Sequence, residues 1–314
     1  MKTTRVCHYK KLKIKMDGRI YPCCVAPQHT LIGNVFDEDI IEKIKNADTI
    51  CECQMYKSVP HTQNDKIELD YIHYETSNLC QASCVCCPQS KEKLENEKEL
   101  LDRIKMLIDY YKPKNITAIG GEILVQNYAF NMLFDLHKKY PGMKIHTISN
   151  LSVGEKRLKE AEEIFDEITV SILGFNPTTY KNEMGLEFDV VMRNFEYLYK
   201  NKKVKLRPKF LAMPTNLFDI VDFFNWAIKL DVDKIYLHNI HEFKAVANLG
   251  QPYWLKTFAK LEKQIKQILE ENKEHIQSKN RHFISIHSIL SEMLNIDSGY
   301  ITQNGFNKTV FITK

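Results

Sequence analysis

The stretch Glu75-Thr76-Ser77-Asn78-Leu79-Cys80-Gln81-Ala82-Ser83-Cys84-Val85-Cys86-Cys87-Pro88-Gln89-Ser90 decides how this chain is read. Cys80, Cys84 and Cys87 stand with three and two residues between them, so one short loop can wrap three thiolates around a single inorganic centre. Thiolates are the soft ligands that iron-sulfur clusters require. An ordinary cluster takes four protein ligands, and three leave one iron open to another molecule. Two plainer readings use the same residues. One is a structural zinc site, which usually pairs two Cys-x2-4-Cys knuckles and would draw its second from the amino-terminal cysteines; the other is a set of buried free thiols. Cys86 also offers a second ligand register beside Cys87.

Outward from this loop, all nine cysteines fall within the first 87 of 314 residues. An oxidising compartment would turn such crowding into disulfides, whereas in a cytosolic chain it points to metal. No apolar run approaches the ~18 residues of a membrane span, and the first residues lack a signal-peptide core. A soluble, cytoplasmic protein is therefore expected. A net charge of +4 is too small to argue for nucleic acid, and 44% hydrophobic residues suffice for a sizeable core.

From Lys66 onward strand-like and helix-like segments alternate, the pattern of a parallel α/β fold. Strands are expected at Ile67 to Thr76, Asn115 to Ile119, Met143 to Ser149, Glu167 to Leu173, Val204 to Leu211 and Lys234 to His238. Between them, stripes such as Leu100, Ile104, Leu107 and Ile108, or Val191, Phe195 and Leu198, mark helices. Such folds gather reactive groups at the carboxyl ends of their strands, where the cysteine loop, Gly120-Gly121-Glu122 and Asn150 all fall. Within the fifth strand Lys205, Arg207 and Lys209 alternate with apolar residues, which turns the basic set toward the lumen as anion contacts. Tyr236 and His238, with His241 and Glu242 beyond them, line the same mouth. Trp254, Phe258, Leu261, Ile265 and Ile268 build a long helix after the last strand.

Cys80, Cys84 and Cys87 after a first strand, with Gly120-Gly121-Glu122 one β/α unit later, resemble the radical S-adenosylmethionine (SAM) superfamily. The resemblance implies an α/β fold built as a partial (β/α)6 TIM-type barrel over residues 67–245, followed by a helical extension over 246–314. It implies a [4Fe-4S] cluster held by Cys80, Cys84 and Cys87, whose open iron chelates SAM. Cys87, not Cys86, reproduces the family spacing. Glu122, with Gly120 and Gly121, would hold the SAM amino group, although the proline that usually follows is Ile123 here. Asn150 and Ser171 match positions that touch the SAM ribose, and Arg207 is the cation assigned to the cofactor.

The amino-terminal segment, residues 1–66, reads as a β-hairpin turning at Asp17-Gly18. Cys7, Gly18 and Cys23, with the wording Asp17-Gly18-Arg19-Ile20-Tyr21-Pro22-Cys23-Cys24, resemble the opening of the SPASM and twitch auxiliary-cluster domains of that superfamily. The resemblance implies a second, auxiliary [4Fe-4S] cluster on Cys7, Cys23, Cys51 and Cys53. Such a module normally follows the barrel, and here it precedes it. A four-cysteine zinc site fits the same residues.

The activity implied is reductive cleavage of SAM to a 5'-deoxyadenosyl radical, fed by a flavodoxin- or ferredoxin-type electron donor. Hydrogen is then abstracted from substrate, in a net oxidation if the auxiliary cluster accepts an electron. A small polar, sugar-like substrate suits a cationic lumen, and a ribosomal peptide is the alternative. A zinc-stabilised binding module without enzymatic activity is the further alternative.

Overall fold

The computed structural model describes residues 3–7, 11–22, 31–47, 56–60, 69–87, 89, 96–239, 252–279 and 283–286. In chain order the elements are β1 (Thr3–Cys7), β2 (Lys11–Ile14), β3 (Arg19–Tyr21), β4 (Gly33–Asn34), α1 (Ile40–Lys45), β5 (Tyr56–Pro60), β6 (Tyr71–Glu75), α2 (Glu97–Tyr111), β7 (Asn115–Ile119), α3 (Asn127–Lys139) and β8 (Lys144–Ser149). They continue with α4 (Glu155–Ile164), β9 (Glu167–Ile172), α5 (Pro177–Met184), α6 (Phe188–Asn201), β10 (Lys205–Ala212), α7 (Ile220–Ala227), β11 (Ile235–Asn239), α8 (Pro252–Glu271), α9 (Lys273–Ser278) and β12 (Ile284–Ile286). The result is an α/β fold with a mostly parallel sheet, as the alternation predicts.

The chain divides into two compact units. The first comprises Met1–Gln81, Gln89–Ile148 and Lys159–Asp166. In it β8, β7, β6 and β2 run parallel, and β2, β3 and β4 continue antiparallel. The hairpin expected at Asp17-Gly18 is present as β2 and β3. Its parallel pairing with β6, Lys11 opposite Tyr71 through Ile14 opposite Tyr74, lay beyond what the sequence pattern conveyed. Alternation decides which residues go inward: Leu12, Ile14, Ile72 and Tyr74 are withdrawn from water, while Lys11, Tyr71 and His73 between them are half-buried. α2 lays Leu100, Leu101, Ile104, Leu107 and Ile108 on this core, each fully buried aliphatic stabilising by about 1.5–3 kcal/mol. The helix ends at Lys112, whose left-handed backbone caps it just before Pro113.

The second unit comprises Ala82–Pro88, Ser149–Leu158 and Glu167–Lys314. Here β9, β10, β11 and β12 are all parallel. Its core is aromatic: Phe175, Phe195 and Phe223 surround Trp226 with ring centroids 5.0 to 5.8 Å apart. α5 went unforeseen, although its signals are explicit. The Asn176 side chain accepts from Thr179 N, Pro177 opens the helix, and Gly185 closes it at φ 69°, a left-handed turn that glycine adopts without strain. β12, from a stretch that carried no pattern in sequence, adds a parallel strand beyond β11. Among the described residues no helix is long and apolar enough to cross a membrane.

Candidate active site

In the first unit, β6 delivers the chain into the cysteine loop and β7 delivers it into Gly120-Gly121-Glu122, side by side because the two strands pair in parallel. The two loops are then tied together by their backbones. Thr76 N donates to Ile119 O at 2.7 Å, Gly121 N to Ser77 O at 2.5 Å and Glu122 N to Leu79 O at 2.8 Å. Gly121 permits this approach, because a Cβ there would meet the Leu79 carbonyl. Glu122 is 1% exposed, and its Oε1 accepts from Leu124 N at 3.1 Å.

Gln126 completes the junction and was not singled out from sequence. Buried just before α3, it donates to Leu79 O at 3.1 Å and accepts at Oε1 from Thr76 Oγ1 at 2.6 Å. A glutamine amide supplies both functions, which this spot needs. No sequence pattern marks such a residue. Gln89 adds a bond from Nε2 to Gly120 O at 3.0 Å. The residue before Cys80 is thereby fixed from two directions.

In the second unit, the middle of the cysteine loop lies along the end of α5. Ser83 N donates to Met184 O at 2.9 Å and Val85 N to Glu183 O at 3.0 Å. Cys87 N donates to Cys84 O at 3.2 Å, a tight turn between those two cysteines. Cys80, Cys84, Cys86 and Cys87 are all free thiols, the first three half-buried and Cys87 exposed. Burial pushes the Cys86 thiol's pKa up, and the Cys87 and Glu183 charges add to it against Lys209. Among the described residues no three His, Cys, Asp or Glu side chains are gathered to hold a single metal ion.

Asn150 follows β8, buried, with its Oδ1 accepting from Ser152 N at 2.9 Å. Ser171 lies half-buried on β9, opposite Lys209 of β10. Arg207, expected as an anion contact, has two carboxylate partners within the chain. Its guanidinium donates to Glu167 at 2.6 Å and to Asp233 at 2.7 Å, and those carboxylates raise its pKa against the effect of burial. Two residues on, Lys209 forms no hydrogen bond or ion pair with a described residue, and burial pushes its pKa down. Tyr236, opposite Lys209 on β11, stands edge-on to His238 with ring centroids 5.2 Å apart. Cys23, Cys24, Cys51, Cys53, His241 and Glu242 lie outside the described residues, and of Cys7 only the backbone is described, at the end of β1 opposite Tyr56.

Residues 74–217, from the end of strand β6 to just before α7, match the Radical SAM superfamily. The chain carries a radical SAM superfamily domain. Its matched span contains the cysteine loop, Glu122, Asn150, Ser171 and Arg207. A probable GTP 3',8-cyclase of Sulfurisphaera tokodaii is similar to this chain, 24% identical over an alignment of 227 residues that covers 68% of each protein. Among solved structures, Streptococcus suis SuiB bound to S-adenosylmethionine shares the fold at a TM-score of 0.51 and 13% identity, over 70% of this chain and 50% of that one. The chain thus spans about half the length of that structural relative.

Proposed function

We propose that this chain is a radical SAM enzyme that oxidises a small polar molecule. The observation that carries the reading is the junction of the two loops, where Gly121 N, Glu122 N and Gln126 Nε2 bind Ser77 and Leu79 directly ahead of Cys80. It ties the backbone of Glu122, whose carboxylate is buried, to the residue just before Cys80 inside the span that matches the family. The donor set fits a [4Fe-4S] cluster: Cys80, Cys84 and Cys87 are three reduced, accessible thiols on one loop. When bound, the cluster and SAM supply one-electron chemistry, reductive cleavage of the sulfonium followed by hydrogen abstraction from substrate.

The chain's own groups bind and orient. Glu122 accepts hydrogen bonds from the SAM ammonium, while Gly120 and Gly121 let the backbone approach it. Asn150 and Ser171 contact the ribose. Because Arg207 is engaged by Glu167 and Asp233, Lys209 takes its place as the cation for a carboxylate of SAM or substrate. A nucleotide named as the substrate of the similar cyclase supports a small polar substrate over a ribosomal peptide. In this reading residues 67–245 form the partial (β/α)6 barrel, 246–314 its helical extension and 1–66 the auxiliary-cluster module, with a flavodoxin- or ferredoxin-type donor in the cytoplasm.

Anaerobic preparation should give a brown protein that releases 5'-deoxyadenosine from SAM under dithionite. Glu122→Ala should keep the iron and lose about tenfold to hundredfold in SAM affinity, the worth of a charge-assisted hydrogen bond. Cys86→Ala should keep both iron and cleavage. A colourless protein containing zinc, or unchanged SAM affinity in Glu122→Ala, would overturn the assignment.

A further inference from the structure

Within the second unit the cysteine loop is held by the end of a helix. Ser83 N donates to Met184 O and Val85 N to Glu183 O, so the last carbonyls of α5 accept from the two residues that flank Cys84. Gly185, which closes the helix at φ 69°, permits the approach, because a Cβ there would collide with Ser83 Oγ. The carboxyl end of a helix carries roughly half a negative charge on such carbonyls.

The Glu183 side chain adds a full charge. It is 5% exposed, and its Oε2 is buried with no hydrogen-bond partner among the described residues. An unpaired buried carboxylate costs stability, which points to a role other than packing. Its charge also reaches the loop: burial pushes the Cys86 thiol's pKa up, and Glu183 adds to that push.

We propose that the carboxyl end of α5, through the Glu183 carboxylate and the carbonyls of Glu183 and Met184, holds down the reduction potential of the [4Fe-4S] cluster that Cys84 and Cys87 help to bind. The inference rests on the radical SAM reading for the presence of that cluster. Reduction adds one electron, and so one negative charge, to the cluster; fixed negative charge beside the loop opposes it. Hydrogen bonds from backbone N–H groups to cluster sulfurs favour the reduced state, and here Ser83 N, Val85 N and Cys87 N are engaged by carbonyls. A cluster reduced against this opposition is a stronger one-electron reductant of the SAM sulfonium. Glu183 thus acts through the cluster.

The test is an anaerobic redox titration of the full chain with clusters reconstituted. It follows the electron paramagnetic resonance signal of the reduced cluster that SAM alters, which separates this cluster from an auxiliary one. Glu183→Gln removes the charge and keeps the shape. It should raise the reduced-to-oxidised ratio at a given ambient potential about tenfold, an upward midpoint shift of about 59 mV for one electron. Glu183→Asp, which restores the charge, should return the midpoint to that of the parent, a rescue that a merely structural role would not produce. Glu196→Gln, on the exposed side of α6, should leave the midpoint where it is. Iron content is measured on every variant. An unchanged or lowered midpoint in Glu183→Gln, or an equal rise in Glu196→Gln, would overturn the inference while the parent's SAM-sensitive cluster leaves the radical SAM reading standing. If Glu183→Gln loads no iron, the decision passes to Gly185→Ala, which lifts the α5 carbonyls from Ser83 and should also raise the midpoint; absence of that rise would overturn the inference. A parent without a SAM-sensitive cluster would overturn the radical SAM reading and this inference with it.

Discussion

His73 holds an imidazole that is largely withdrawn from water and has an ammonium 3.0 Å from its Nε2. The folded chain therefore refuses a proton that the unfolded chain accepts below its ordinary pKa of 6.5. Stability from this residue is complete above about 6.5 and is lost as the pH falls toward about 3, by up to about 1.4 kcal/mol per pH unit. Glu75 works in the opposite pH region: burial tends to raise its pKa, but Lys13 and Lys15 hold it below its ordinary 4.5, so its contribution fades only at lower pH. Denaturant unfolding between about pH 7 and pH 5 thus isolates the histidine. His73→Gln should flatten the decline seen in the parent, and parallel slopes in the two proteins would remove this account of the ring. None of this was legible in the sequence, because a histidine in an alternating strand looks the same whether its neighbour is water or Lys13.

At the scale of elements, period and punctuation carried most of the information. β7 was readable as a run of β-branched residues ending in glycines, and α2 as a stripe of leucine and isoleucine halted before Pro113. Pairings between segments far apart in sequence were not readable, which is why β2 beside β6 and β12 beside β11 came from the structure. The same limit applies to the loop junction, since Gly120-Gly121-Glu122 is visible as a string but its bonds to Ser77 and Leu79 are not. That junction makes a specific expectation. A methyl group at Gly121 would press on Leu79, a carbonyl fixed by Glu122 and Gln126, whereas one at Gly142 meets nothing within 4 Å. Gly121→Ala should cost about 1–3 kcal/mol, as overpacking does, and should lower bound iron because the displaced backbone leads into Cys80. Gly142→Ala should do neither. Thermal unfolding and iron content that are the same for both variants would show that the junction does not position the cysteine loop.

For the molecule as a whole, the open question is what the amino-terminal cysteines add to the radical SAM domain. β1 and β5 pair antiparallel with Cys7 opposite Tyr56, and Cys53 stands three residues before Tyr56 in the sequence. Cys7 thus lies at the end of a small two-stranded ribbon. A two-stranded ribbon is marginal by itself, so a bound centre would contribute directly to its folding. If Cys7, Cys23, Cys51 and Cys53 close a second [4Fe-4S] cluster, the chain should bind about eight irons, four in each cluster. The triple variant Cys80→Ala, Cys84→Ala, Cys87→Ala should then stay brown with about half of them. Removing Cys7 or Cys53 should bleach that remainder and loosen β1 and β5 together, as read by amide hydrogen exchange, whereas Cys24→Ala should do neither. A colourless triple variant holding one zinc would make the segment a structural clip. With no acceptor for the electron left on the product radical, net oxidation would then lose its support, and a redox-neutral rearrangement would follow from the same radical domain.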